Sequence, residues 1–168
     1  MPTGRWAAPT SPHWALFAPL LEDKACKIGR RIHVTGSVRD GFKHEIQRSY
    51  DLRKTRTKPE TPVEIGIVST RHLVQVAQDF VHDVDTTARD AFEQLVLSVP
   101  APNQTLNVAS DNSAPRTGPV RRVKLSDCQW WITQVVKKLV EQKHLLPPTR
   151  GLNKGKTPLE IPENTPKH

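Results

Sequence analysis

Apolar positions alternate or run together in the first part of the chain, and recur at helical spacing in the second. His13 to Leu20 reads as a strand between Pro12 and Pro19, followed by a turn over Glu22-Asp23-Lys24. Gly29 to Ser37 reads as a second strand, with Gly36 and Asp40-Gly41 marking the next turn. Phe42 to Leu52 makes a third, in which period-2 alternation puts His44, Ile46, Arg48 and Tyr50 on one face. Val63 to Val68, rich in β-branched residues, makes a fourth.

The period then changes. Leu73, Val76, Ala77 and Phe80 repeat at helical spacing, as do Ala88, Ala91, Phe92 and Leu95 after a candidate N-cap at Asp85. The strongest helix runs from Ser126 to about Lys143. Its stripe is Cys128, Trp131, Ile132, Val135, Val136, Leu139 and Val140, which leaves Trp130 on the opposite side. These elements predict an α+β fold: a four- to five-stranded antiparallel meander packed against a C-terminal helix and one or two shorter helices.

Composition sets the outer limits. The 168 residues suffice for one domain, but fifteen prolines and modest apolar content predict unpacked segments. Residues 1–11 read as a mobile arm, 12–146 as the single domain, 100–120 as a flexible loop within it, and 147–168 as a disordered tail. The formal charge is +8, concentrated in Arg53 to Lys58, Arg121 to Lys124 and the tail. Such clusters could attract nucleic acid, anionic head groups or acidic substrates. Solvated loops are the plainer reading, and no zinc-finger, KH or RRM signature accompanies the charge, so no specific nucleic-acid partner is expected.

No secretory signal and no long apolar run appears, so no transmembrane anchor is expected. Two cysteines, Cys26 and Cys128, suit a reducing compartment, and the expected location is cytoplasmic.

The candidate chemistry centres on Cys128. Ser126 and Gln129 have capping-box spacing, which would start the helix at Asp127 and put Cys128 at its second position. Unpaired N–H groups and the positive end of the helix dipole favour a thiolate there, whereas Asp127 adds negative charge beside it. A nucleophilic cysteine also needs a base and a group to orient that base. His13 on the first strand and His33 on the second could share one face of a hairpin, with the first turn of the Cys128 helix packed against it. That makes Cys128 the nucleophile, His13 the base and His33 the orienting group, with His44 as an alternative third group. The Cys128 N–H and another first-turn donor could bind an oxyanion. Trp130, as the exposed aromatic, and His44 are the candidate substrate contacts.

The order of His13-Trp14-Ala15-Leu16, then His33, then Asp127-Cys128-Gln129-Trp130-Trp131 resembles the lecithin:retinol acyltransferase-like group. Those proteins carry His-Trp-Ala-Ile on a strand and Asn-Cys-Glu-His-Phe at a helix start. The resemblance covers residues 12–145 and implies a circularly permuted papain-like fold with a cysteine nucleophile. The chain is also similar to an uncharacterised family of small fungal proteins with an HWAL strand and a late C-x-x-W helix.

The leading expectation is therefore a cysteine-dependent hydrolase or acyltransferase that forms an acyl-enzyme from an amide, ester or thioester. The alternative is a non-catalytic binding or interaction module on the same fold, in which Cys128 is a small buried hydrophobe. No cofactor and no metal is expected, since no C-x-x-C or H-x-x-x-H pair is present.

Overall fold

A computed structural model describes residues 13–54, 62–73, 83–104, 126–149 and 151–163. Three long-paired strands come first: β1 (Ala15–Pro19), β2 (Ile28–Ser37) and β3 (Gly41–Asp51). Between β1 and β2 the Asp23 carboxylate accepts from the amides of Ala25, Lys27 and Ile28, which closes the predicted turn. The β2–β3 hairpin turns through Ser37, whose hydroxyl accepts from the Arg39 and Asp40 amides. Gly36 is required there: a Cβ would lie 2.2 Å from the Gly41 carbonyl oxygen, and φ is +136°. The turn fixes the register, so Ile32 pairs with Ile46 and His33 with Glu45.

The register slips between Gly29 and Arg31, where β3 has one extra residue and Ser49 takes a left-handed φ of 52°. This bulge reverses the alternation beyond it. His44, Ile46 and Arg48 stay on the core face as expected, but Tyr50 emerges on the other side, with Arg31 over its ring.

The sheet runs β1-β2-β3 and then a fourth strand beside β3, with every pair antiparallel. Its fourth strand is β5 (Asp83–Asp85), not the segment 63–68. From that segment only β4 (Ile67–Val68) forms a strand, and it pairs with β6 (Leu145–Leu146) in a separate two-stranded sheet. Gly66 packs so close to this partner that a Cβ would meet the Leu146 carbonyl at 2.6 Å. The pattern of β-branched residues marked an extended chain correctly, but its partner lies about 80 residues away and carries no local signal.

Helix α1 (Ala91–Leu97) starts later than expected, capped by Asp90, whose side chain accepts from the Glu93 amide. Asp85 ends β5 instead and pairs with Arg48 at 2.9 Å. Helix α2 (Cys128–Glu141) is capped by Asp127, whose carboxylate accepts from the Trp130 amide at 2.9 Å. Asp127 rather than Ser126 takes the cap, so the helix starts one residue later than the capping box implies and Cys128 occupies its first position. At the other end Lys143 (φ 58°) and the bond from the His144 amide to the Leu139 carbonyl turn the chain back into β6.

The core lies between one face of the sheet and α2. Leu16, Ile32, Val34 and Ile46 meet Trp131, Ile132, Val135, Val136 and Leu139, all nearly or fully excluded from water. Burial of such side chains contributes about 1.5–3 kcal/mol each before entropy is counted. Polar groups enter this face at one end. Arg30 bonds Asp90 and Glu93, while Arg48 bonds Glu93 and Asp85, so two cations and two buried carboxylates tie α1 to the sheet.

The expected disordered tail is partly built. Asn153 donates to the Glu64 carbonyl at 2.9 Å, and α3 (Glu160–Glu163) buries Ile161 in the core. A short apolar motif, Leu159 and Ile161, suffices because it completes a core made elsewhere. Residues 101–104 of the expected flexible loop are also tied down, with the Phe42 amide donating to the Pro102 carbonyl. The arm 1–11, most of the helix expected around Val76, the cluster Arg121 to Lys124, His82 and His168 lie outside the described residues.

Candidate active site

Among the described strands, β1 is the outermost of its sheet. The Trp14 amide, at this edge, donates to the Cys128 sulfur at 3.4 Å. Cys128 is 6% exposed and forms part of the apolar cluster. Burial is the main influence on its thiol and raises the pKa above the ordinary value, and the Asp127 carboxylate adds to this. The Trp14 amide and the first-turn amides of Cys128 and Gln129 pull the other way without reversing it. Those two first-turn amides act on the sulfur at the positive end of the helix, and this suits them to a developing negative charge nearby.

The residue before Trp14 is His13, whose Nε2 lies 2.6 Å from His33 Nδ1, with the rings edge to face. His33 Nε2 lies 3.0 Å from the Glu45 carboxylate. Proton positions along this row follow from the ends. A carboxylate only accepts, so His33 Nε2 carries a hydrogen and its Nδ1, in the neutral ring, accepts. His13 Nε2 must then donate, which leaves the basic lone pair of His13 on Nδ1.

Burial and the Arg31 charge lower the His13 pKa against a smaller opposing effect of Glu45. The same two causes, burial first, lower that of His33 to about 4, although its bond to Glu45 resists the shift. Both imidazoles are therefore neutral at pH 7, and the Cys128 thiol is protonated.

The sequence-predicted residues divide. His13 and His33 meet as expected, on the side of the sheet away from Ile32 and Val34, and the strand carrying His13 runs into the amide that touches Cys128. The first turn of α2 does not pack flat over the histidine face; the helix covers the opposite face and only its tip reaches the β1 edge. His44 joins neither group. Its Nε2 bonds the Val99 carbonyl, which also accepts from Trp131 Nε1, so it braces the core. Trp130 is half-buried against the apolar cluster rather than exposed, because Gln129 is buried too and widens the packed side of the helix toward it. His72 and His144 stack on each other with ring centroids 3.9 Å apart.

Glu45 was missed. A signal existed: the hairpin centre near Arg39 pairs residues whose numbers sum to 78, which brings 45 opposite 33. Among the described residues, no three His, Cys, Asp or Glu side chains are grouped to hold a metal, and no helix is long and apolar enough to cross a membrane.

Comparison with known proteins gives one family. Its model, described as a family of unknown function (DUF6540), matches residues 5–146. No curated protein and no solved structure matches the chain.

Proposed function

The chain belongs to the DUF6540 family, whose function is unknown, and for it we propose cysteine-dependent acyl transfer with Cys128 as nucleophile and His13 as base. The observation that carries this reading is the row His13–His33–Glu45, which orients a neutral imidazole at the strand edge where the Cys128 sulfur is held. The raised thiol pKa and the lowered imidazole pKa favour general-base catalysis over a standing thiolate–imidazolium pair. As Sγ attacks the carbonyl carbon of an ester, thioester or amide, its proton passes to His13 Nδ1. The oxyanion takes hydrogen bonds from the Cys128 and Gln129 amides. Collapse expels the leaving alcohol, thiol or amine, which takes the proton back. Water or an amine, deprotonated by His13, then attacks the thioester and returns Cys128 to its thiol.

The permuted papain-like architecture implied by the resemblance fits this scheme, as does a cytoplasmic location in which both cysteines stay free. Cys26 serves as an internal reference thiol. With 4-nitrophenyl acetate at pH 7, intact-protein and peptide mass spectrometry should show Cys128 acylated faster than Cys26. His13→Ala should slow Cys128 by about 10²–10⁴-fold and leave Cys26 unchanged. Acylation of Cys128 no faster than that of Cys26, or indifferent to His13, rejects the proposal. The burial of Cys128 and its raised pKa favour a second reading, a binding module without catalysis. That reading expects Cys128 to be the slower thiol.

A further inference from the structure

Arg31 lies two residues from His33 on β2, and so on the same face, about 6–7 Å along the strand. Its Nη1 donates to the Gln47 side-chain oxygen at 3.1 Å, and its guanidinium sits 5.1 Å over the Tyr50 ring. Gln47 uses its other end to donate to Glu45 Oε1 at 2.5 Å, so one amide spaces Arg31 from the carboxylate that serves His33. Arg30, Arg48, Arg53 and Arg89 each bond a carboxylate. Arg31, among the described residues, bonds none. It is half-buried, held by an amide below and an aromatic face beside it, and has further N–H groups to offer.

We propose that Arg31 is the specificity residue of this site and holds a carboxylate carried by the acyl substrate. This rests on the acyl-transfer reading. A planar guanidinium gripped on one nitrogen presents its remaining edge to a planar carboxylate in two parallel bonds. The Gln47 spacer keeps Glu45 from filling that place. The arrangement also couples binding to chemistry. Arg31 depresses the basicity of both imidazoles, so a carboxylate that neutralises it raises them and strengthens the base when the substrate is present.

The test has two arms. In the first, mono-4-nitrophenyl glutarate is compared with 4-nitrophenyl valerate, an uncharged ester of equal chain length. Cys128 acylation should favour the anionic ester by about 10- to 100-fold at low salt. Arg31→Gln should bring the ratio of the two rates to about 1, and Arg31→Lys should keep part of the preference. A ratio near 1 in the unaltered protein, with Cys128 still acylated, overturns the Arg31 assignment and leaves acyl transfer standing.

The second arm needs no chemistry. In Cys128→Ala, glutarate should shift the His13 and His33 ring resonances saturably and raise their pKa values, and Arg31→Gln should abolish both effects. Shifts that persist in Arg31→Gln, or none at tens of millimolar glutarate, overturn the proposal. A saturable, Arg31-dependent shift in a protein that fails to acylate upholds the anion site and rejects the reaction.

Discussion

Arg30 and Arg31 are neighbours on β2, yet they belong to two polar clusters of opposite character. Arg30 points into the core, where with Arg48 it meets Asp90, Glu93 and Asp85. Arg31 points to the other side, where it faces His13, His33, Gln47 and Tyr50. The first cluster matches charge with charge around the buried Asp90 and Glu93, which fixes α1 on the sheet. The second holds two neutral imidazoles, the Glu45 carboxylate on His33, and a cation, Arg31, that bonds no carboxylate among the described residues. Its groups are poised to accept a proton or an anion, so the reactive properties gather there. The bulge at Ser49 separates the two: it keeps Arg48 with the core while Tyr50 joins Arg31.

The largest effect expected from breaking this contrast is at Glu93. It is fully buried and bonded to both Arg30 and Arg48, so Glu93→Ala removes the carboxylate that the two cations share, leaves Arg30 with Asp90 and Arg48 with Asp85, and should cost about 3–5 kcal/mol in urea unfolding. Arg31→Ala, on the other cluster, should cost less than about 1 kcal/mol by the same assay. Equal losses would erase the distinction. If Glu93→Ala does not fold, Glu93→Gln should show a smaller loss in the same direction.

Next in size is the response to acid. His33 titrates near 4 in the folded protein against 6.5 in the unfolded chain, so between those values the unfolded state binds more protons. Stability is then full above pH 6.5 and falls as pH drops toward 4, by roughly 2–3 kcal/mol from this group. Lowered His13 acts in the same sense. In His33→Gln the loss across that window should shrink, as followed by thermal unfolding at pH 7.0, 5.5 and 4.5; an unchanged loss would place the acid sensitivity elsewhere.

The smallest effect concerns Asp127. Asparagine caps a helix nearly as well, so Asp127→Asn should change stability by only a few tenths of a kcal/mol. It removes one of the two influences that raise the Cys128 pKa, and iodoacetamide alkylation should show a modest downward shift in midpoint. Burial remains, and so the midpoint should stay above the free-thiol value of about 8.5. A drop below that value would make the carboxylate, rather than burial, the dominant cause.

Much of this arrangement was legible in the sequence wherever neighbours along the chain set the structure. The three strands, the turn glycines and the α2 stripe are local patterns, and they brought His13, His33 and Cys128 to one end of the sheet. The pairing of β4 with β6 and the docking of Ile161 depend on partners distant in sequence, so the fourth strand was misplaced and the tail read as unbuilt. Glu45 is not singled out by its type beside His44, the more reactive one. Alternation sends those two side chains to opposite faces, and only the hairpin register says which one His33 meets. The α2 cap was a choice between adjacent Ser126 and Asp127, and the charged group won it.

The central claim is the protonation of the histidine row, and ¹⁵N resonances of the imidazole nitrogens between pH 4 and 8 test it most directly. At pH 7 both rings should be neutral with the hydrogen on Nε2, leaving His13 Nδ1 as the bare nitrogen, and His33 should gain a second proton only near pH 4. A charged imidazole at pH 7 on either residue, or a His33 hydrogen on Nδ1, would contradict it.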